Sequence, residues 1–218
     1  MLVFQRRTTM SRNPYKLPLI CSREEYRARV ATDPDQQLVD LADWVPGLVL
    51  DLRYATANNL AGRPLYTRAQ ALARRPVAVA LARVQHQLAA FGVGLVVYDA
   101  YRPYHVTREF YELIGDEDFA APPWRGSRHN RGCALDVGLV QLGSGQTLPL
   151  PTDFDELTPA AHARYPALPA HVLFNRSLLL AAMRGQGFRN YPAEWWHFDH
   201  PRWPEFDLLD LSFEELVI

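Results

Sequence analysis

The chain has 218 residues, of which 48% are hydrophobic, 22% charged and 11% aromatic, which suits one well-buried domain with appendages and excludes a disordered tail. Its 23 basic and 24 acidic residues leave a net charge of -1, so no global field steers it toward nucleic acid or an anionic membrane. No apolar run approaches the roughly 18 residues of a membrane span, and Arg6 and Arg7 cut off the opening MLVF, so neither a transmembrane segment nor a secretory signal is expected.

Residues 1–35 carry seven basic side chains (Arg6, Arg7, Arg12, Lys16, Arg23, Arg27 and Arg29) with little hydrophobic periodicity before Tyr26, and are read as a basic arm. Such an arginine-rich start also fits an organellar transit peptide or initiation at Met10. Leu48 to Tyr54 alternates as a strand, and Asn58, Asn59 and Gly62-Arg63-Pro64 mark a loop. Between Thr67 and Phe91, apolar residues recur at helical intervals, with Pro76 dividing two helical pieces and Gly92 ending the second. Gly94 to Tyr98 is a short buried strand, Tyr104 to Ile114 a helix stopped by Gly115, and Ala134 to Val140 a strand. Arg176 to Gln186 is the last helix and Trp195 to Asp199 an aromatic strand. The irregular order of helices and strands predicts an α+β domain over residues 36–201. Residues 202–218 form an acidic tail whose charge, opposite to that of the arm, favours a weak attraction between the two ends.

Cys21 and Cys133 lie far apart and form no CxxC, which leaves a disulfide framework or a four-cysteine zinc site without support and fits a reducing cytoplasm. There is no GxSxG, no GxxxxGK[ST], no GxGxxG and no HExxH. Polar residues concentrate instead in Ser127-Arg128-His129-Asn130-Arg131-Gly132-Cys133-Ala134-Leu135-Asp136 and in Glu194-Trp195-Trp196-His197. His129, Asp136 and His197 offer two imidazoles and a carboxylate, a set that leaves an open position on zinc. Glu194 precedes His197 by three residues, an interval that suits a base beside a metal-bound water. Residues three apart on a strand face opposite ways, so Pro192-Ala193-Glu194 should be a turn, with the strand starting at Trp195 or Trp196. Three alternatives stay open at this level. His129 and Asp136 could be a surface pair with His197 a core histidine; His197-Phe198-Asp199 could be the HxD of an iron triad; Cys133 could be a nucleophile.

SRHNRGCALD resembles the SxHxxGxAxD motif of the M15 zinc peptidases, and EWWH resembles their ExxH. DLRYATANN (Asp51 to Asn59), YDAYRP (Tyr98 to Pro103), TDFD (Thr152 to Asp155) and EWWHF (Glu194 to Phe198) resemble, in the same order, further blocks of the D-alanyl-D-alanine dipeptidases of the vancomycin-resistance type. The similarity runs from about Leu38 to Pro201. It implies a Hedgehog/D,D-peptidase-like fold, a small antiparallel sheet with helices packed on it. It further implies one Zn²⁺ on His129, Asp136 and His197, with Glu194 as general base. It implies that Arg102 hydrogen-bonds the scissile carbonyl, that Asp99 supports the site, and that Tyr54, Ser127 and Asp155 surround the ammonium group of a small dipeptide substrate. A structural ion pair with Asp99 is the alternative for Arg102.

The chain departs from that pattern in places. Cys133 stands where serine is more common, and Leu150-Pro151 replaces a Met-Gly. The stretch between Arg102 and His129 is shorter than in the resistance enzymes, which implies a more open site. Three functions follow from the resemblance: a cytoplasmic D-Ala-D-Ala dipeptidase, an M15 carboxypeptidase or endopeptidase on longer cell-wall peptides, and a zinc-holding module without hydrolysis. The missing signal segment argues against the second, and retention of Glu194 and Arg102 against the third.

Overall fold

The computed structural model describes residues 13–117 and 121–216; Arg6, Arg7, Met10 and Arg12, on which the transit-peptide and start-site expectations rest, lie outside them. In chain order the elements are β1 (Leu19–Ile20), α1 (Arg23–Thr32), β2 (Leu38–Asp40), α2 (Leu41–Trp44), β3 (Val49–Leu50), β4 (Leu72–Arg74), α3 (Arg75–Ala89) and β5 (Val93–Asp99). They continue with α4 (Tyr104–Ile114), β6 (Ala134–Gln141), α5 (Ala170–Gly185), β7 (Arg189–Asn190), β8 (His197–Asp199), β9 (Leu208–Leu209) and α6 (Phe213–Leu216). No βαβ rhythm appears among them, and the class is α+β, as the sequence predicts. No helix among the described residues is long and apolar enough to cross a membrane.

The central sheet has the strand order β3-β5-β6-β8-β7. β3 runs parallel to β5, and the other neighbours pair antiparallel. β5 and β6 are covered on both faces: Leu95, Val97, Leu135, Val137 and Leu139 on one face have no exposed surface, and Val96 and Val140 on the other are buried as well. Helix α3 puts Val77, Leu81, Val84 and Leu88 on one face by its 3.6-residue period, and all four are fully buried. Each such side chain contributes roughly 1.5–3 kcal/mol by leaving water. α3 packs on β5 and on α5, and α5 reaches β6, so the middle of the sheet is held from behind.

The element boundaries shift where long-range pairing overrides local pattern. Leu72–Arg74, read from the sequence as helix, is a strand because it pairs with Leu38–Asp40. Pro76 does not divide a helix; it sits in the first turn of α3, where its missing N–H costs nothing. The strand expected to reach Tyr54 stops at Leu50, and Tyr54 falls in a 3-10 turn, Arg53–Ala55. α5 begins at Ala170, six positions ahead of Arg176, behind Pro169.

The two ends fold against this body. β1 pairs parallel with β9, Leu19 opposite Leu208 and Ile20 opposite Leu209. Phe206, Leu208, Leu209, Leu211 and Phe213 are buried. Arg29 lies 3.4 Å from Asp207, the attraction expected from the opposite charges of the ends. The buried Arg74 ties three segments together, donating to the carbonyls of Gln36, of Arg131 at 2.7 Å and of Asp207 at 3.2 Å. Arg131 belongs to the turn that carries His129, so this tie also steadies the site.

Candidate metal and catalytic site

Strand register gathers the charged groups. Asp99 on β5 pairs with Asp136 on β6, which pairs with His197 on β8, so three successive strands turn one polar side chain each to the same face. His129 reaches that row from a 3-10 turn, His129–Arg131, that Gly132 closes at φ 67. The left-handed backbone favours glycine, and a Cβ at Gly132 would lie 2.4 Å from Leu38 Cδ2, so that side-chain end would have to shift to admit one. Asn130 steadies the turn from inside: its Nδ2 donates to the Arg102 carbonyl at 2.8 Å and its Oδ1 accepts the Ser127 N–H at 2.7 Å.

His129 Nε2 is 3.2 Å from His197 Nδ1 and 3.5 Å from Asp136 Oδ1, and His197 Nδ1 is 3.0 Å from Asp136 Oδ1. Donors on a tetrahedral zinc at about 2.0–2.1 Å stand roughly 3.3 Å from one another, so the three atoms fit that ion as they are. The second nitrogen of each ring is already spent. His129 Nδ1 donates to the Ala100 carbonyl at 2.7 Å, and His197 Nε2 faces Asp199 Oδ1 at 3.0 Å. A carbonyl only accepts, so His129 presents Nε2 as a lone pair; the Asp199 carboxylate sets His197 Nδ1 in the same way.

Burial works against ionised Asp136, but His129 and His197 outweigh it and hold the carboxyl well below the usual range. Burial likewise disfavours protonated His197, yet its bonds to Asp136 and Asp199 hold the imidazole well above its ordinary value, so a metal ion must displace a proton from Nδ1 to use its lone pair. Glu194 sits in a turn whose N–H donates to the Tyr191 carbonyl at 3.2 Å, and its Oε2 lies 3.7 Å from His197 Nδ1. Asn190 Nδ2 clamps this turn from below, 2.9 Å from the carbonyls of both Glu194 and His197. Burial, opposed by His197 and assisted by Asp136 and Asp155, pushes the Glu194 carboxyl up to about 8. A carboxyl near neutrality both takes and returns a proton.

Arg102 is buried and points both Nε, at 3.0 Å, and Nη2, at 2.7 Å, to the same oxygen of Asp99. The other oxygen of Asp99 accepts the Tyr66 hydroxyl at 2.6 Å. Arg102 Nη2 is also 3.9 Å from Asp136 Oδ2, beside the metal-type donors. Tyr54 donates to Asp155 Oδ2 at 2.7 Å, and Asp155 holds a left-handed backbone, φ 62, that a non-glycine residue adopts at a cost. Burial, opposed by the Tyr54 hydroxyl, pushes Asp155 up to about 7. Ser127 Oγ accepts the His129 N–H at 3.1 Å. Tyr54, Arg102, Ser127, Asp155 and Glu194 line one cavity of about 430 Å³ with the three donors. That is a small-molecule volume. Asp99 stands behind this wall, fully buried under Arg102.

Of the open alternatives, three are overturned. His129 and Asp136 are 2% and 3% exposed, so they are no surface pair. Asp199 lies on the Nε2 side of His197, away from His129 and Asp136, so the HxD arrangement does not converge on one ion. Cys133 is fully buried and burial pushes its thiol up to about 12, which makes it packing and no nucleophile. The strand after Glu194 begins at His197, one or two residues later than predicted, because Trp195 and Trp196 turn into the core. Sequence reasoning named Asp199 only as the acid of an iron triad, and did not assign Tyr66, Asn130 or Asn190 to the site. His197 and Asp199 are two apart on one strand and so share a face, a signal present in the sequence. Tyr66, 33 positions from Asp99, leaves none.

His129, Asp136 and His197 could hold a metal ion, with the Glu194 carboxyl and the Arg102 guanidinium lining the same cavity. The family model described as D-ala-D-ala dipeptidase, Peptidase_M15, matches residues 34–214, and the chain belongs to that family. It is 36% identical over 177 residues to a D-alanyl-D-alanine dipeptidase of Escherichia coli strain K12, covering 81% of this chain and 91% of that one. Proteins of the same name from Enterococcus faecalis and Streptomyces coelicolor are each 28% identical, over 178 and 174 residues. They cover 72% and 71% of this chain and 88% and 86% of their own lengths.

Proposed function

We propose that this chain is a zinc-dependent dipeptidase that hydrolyses D-alanyl-D-alanine to free D-alanine. The observation that carries this reading is the convergence of His129 Nε2, Asp136 Oδ1 and His197 Nδ1 within 4.8 Å of one another. Those three residues would hold the ion. When bound, zinc supplies a Lewis acid and lowers the pKa of a water from 15.7 to about 7. Glu194 takes a proton from the attacking water and delivers it to the leaving amine, a role worth roughly 10²- to 10⁴-fold.

Arg102 donates to the scissile carbonyl oxygen as it gains negative charge, and losing one such donor costs about 10²- to 10³-fold. Asp99, held by Tyr66 on one oxygen and Arg102 on the other, fixes the direction of that guanidinium. The ammonium group of the substrate goes to Asp155, Tyr54 and Ser127, the carboxylate and hydroxyls that line the same cavity. We place the activity in the cytoplasm, since Cys21 and Cys133 lie far apart in the sequence and form no CxxC, as suits a reducing compartment.

The test is D-alanine release by zinc-loaded protein from D-Ala-D-Ala, beside L-Ala-L-Ala and N-acetyl-D-Ala-D-Ala. Cleavage of the free D,D-dipeptide alone is the expected result. Equal cleavage of the acetylated compound would move the chain to the carboxypeptidases, and no cleavage with zinc bound would contradict the reading.

A further inference from the structure

The dipeptidase reading supplies partners for the ammonium group and the scissile carbonyl of its substrate, and none for the terminal carboxylate. A dipeptide is a zwitterion, so burying its anionic end without a cation costs free energy. Four arginines line the cavity: Arg102, Arg125, Arg128 and Arg131. Three of them are committed. Arg102 is held by Asp99, Arg125 Nη2 donates to Glu117 Oε2 at 2.6 Å, and Arg131 Nη1 donates to the Phe206 carbonyl.

Arg128 differs. Among the described residues its guanidinium donates no hydrogen bond, its charged partner being Asp199 at 3.7 Å from Nε. The group lies over the Trp203 ring, 5.0 Å from the centroid, a cation–π contact that leaves its N–H donors unspent. The side chain is 45% exposed, at the rim of a cavity whose floor holds the buried Tyr54 and Asp155. Arg128 also precedes His129 directly, one Cα step from a metal-type donor. The terminal carboxylate of a dipeptide lies about one residue beyond its scissile carbonyl, and Arg128 lines the same cavity as the three donors.

We infer that Arg128, braced by Trp203 and Asp199, receives the free terminal carboxylate of the substrate and selects for dipeptides that carry one. This assignment rests on the dipeptidase reading and adds a specificity residue to it. The guanidinium fork accepts a carboxylate through two parallel bonds, which neither an amide nor an ester end reproduces.

The experiment compares D-Ala-D-Ala with D-alanyl-D-alaninamide on zinc-loaded wild type, Arg128→Gln and Arg128→Lys, with zinc content measured for each. Wild type should prefer the acid. Arg128→Gln should raise KM for the acid roughly 10- to 100-fold, hold kcat within about threefold, and leave the amide unchanged. Arg128→Lys should fall between, since an ammonium keeps the charge and loses the fork. Equal loss on acid and amide in Arg128→Gln would overturn the assignment, as would a wild type that cleaves both equally well; either leaves the dipeptidase reading standing. A zinc-loaded wild type inert toward both compounds would overturn the two together.

Discussion

Replacing Gly132 with alanine tests whether the turn that delivers His129 depends on the backbone it adopts. Two costs add. At φ 67 an alanine occupies the left-handed region, a penalty of about 1–2 kcal/mol. Its Cβ would also meet Leu38 Cδ2 at 2.4 Å and Arg74 N at 3.4 Å, so Leu38 must move, at about 1–3 kcal/mol for overpacking. Together they predict a loss of about 2–5 kcal/mol, which for a chain of this length lowers Tm by roughly 5–20 °C. Urea unfolding of zinc-loaded protein gives the number directly. The same substitution in a Leu38→Ala background removes the clash and keeps the backbone penalty, so there it should cost only about 1–2 kcal/mol. A Gly132→Ala protein within about 0.5 kcal/mol of wild type, or an equal cost in both backgrounds, would refute this reasoning.

Arg102→Lys should lower kcat by roughly 10²- to 10³-fold with zinc content unchanged, because one ammonium cannot hold Asp99 and face the carbonyl together; near-normal kcat would make Arg102 purely structural. Asp199→Asn removes the carboxylate behind His197 Nε2 and should weaken zinc binding about 10- to 100-fold in a chelator competition, whereas an unchanged Kd would show that the 3.0 Å contact orients nothing. His200 is buried with Nδ1 unpartnered, and burial, assisted by Arg202, pushes it down to about 4. The unfolded chain therefore binds this proton first, and the contribution of neutral His200 to stability is complete above about pH 6.5 and lost as pH falls toward 4. The loss reaches about 2 kcal/mol by pH 5, so wild type should lose that much more stability than His200→Leu between pH 7 and 5; parallel curves would contradict it.

What the sequence makes legible is what short spacing and local chemistry control. Helix α4 ends where Gly115 predicts, since a left-handed glycine is a local device. β5 and β6 sit where their apolar runs place them, and the residues of SRHNRGCALD and EWWH meet because β6 and β8 are neighbours. Partnerships across long sequence distances leave no such trace. Leu72–Arg74 has helical spacing and becomes a strand through β2, 32 or more positions upstream. Tyr66 under Asp99, and Leu208–Leu209 beside Leu19–Ile20, follow from tertiary packing alone. Asp199 was visible two residues from His197, but its role depends on which imidazole nitrogen the register turns inward.

The central claim is that His197 holds zinc while Glu194, 3.7 Å away, moves protons. Zinc content and D-Ala-D-Ala turnover of Glu194→Ala and His197→Ala, measured side by side, separate the two roles. The expected result is one zinc per chain and roughly 10²- to 10⁴-fold less turnover for Glu194→Ala, against loss of both metal and turnover for His197→Ala. Equal zinc loss in the two variants, or a Glu194→Ala protein that turns over normally, would contradict it.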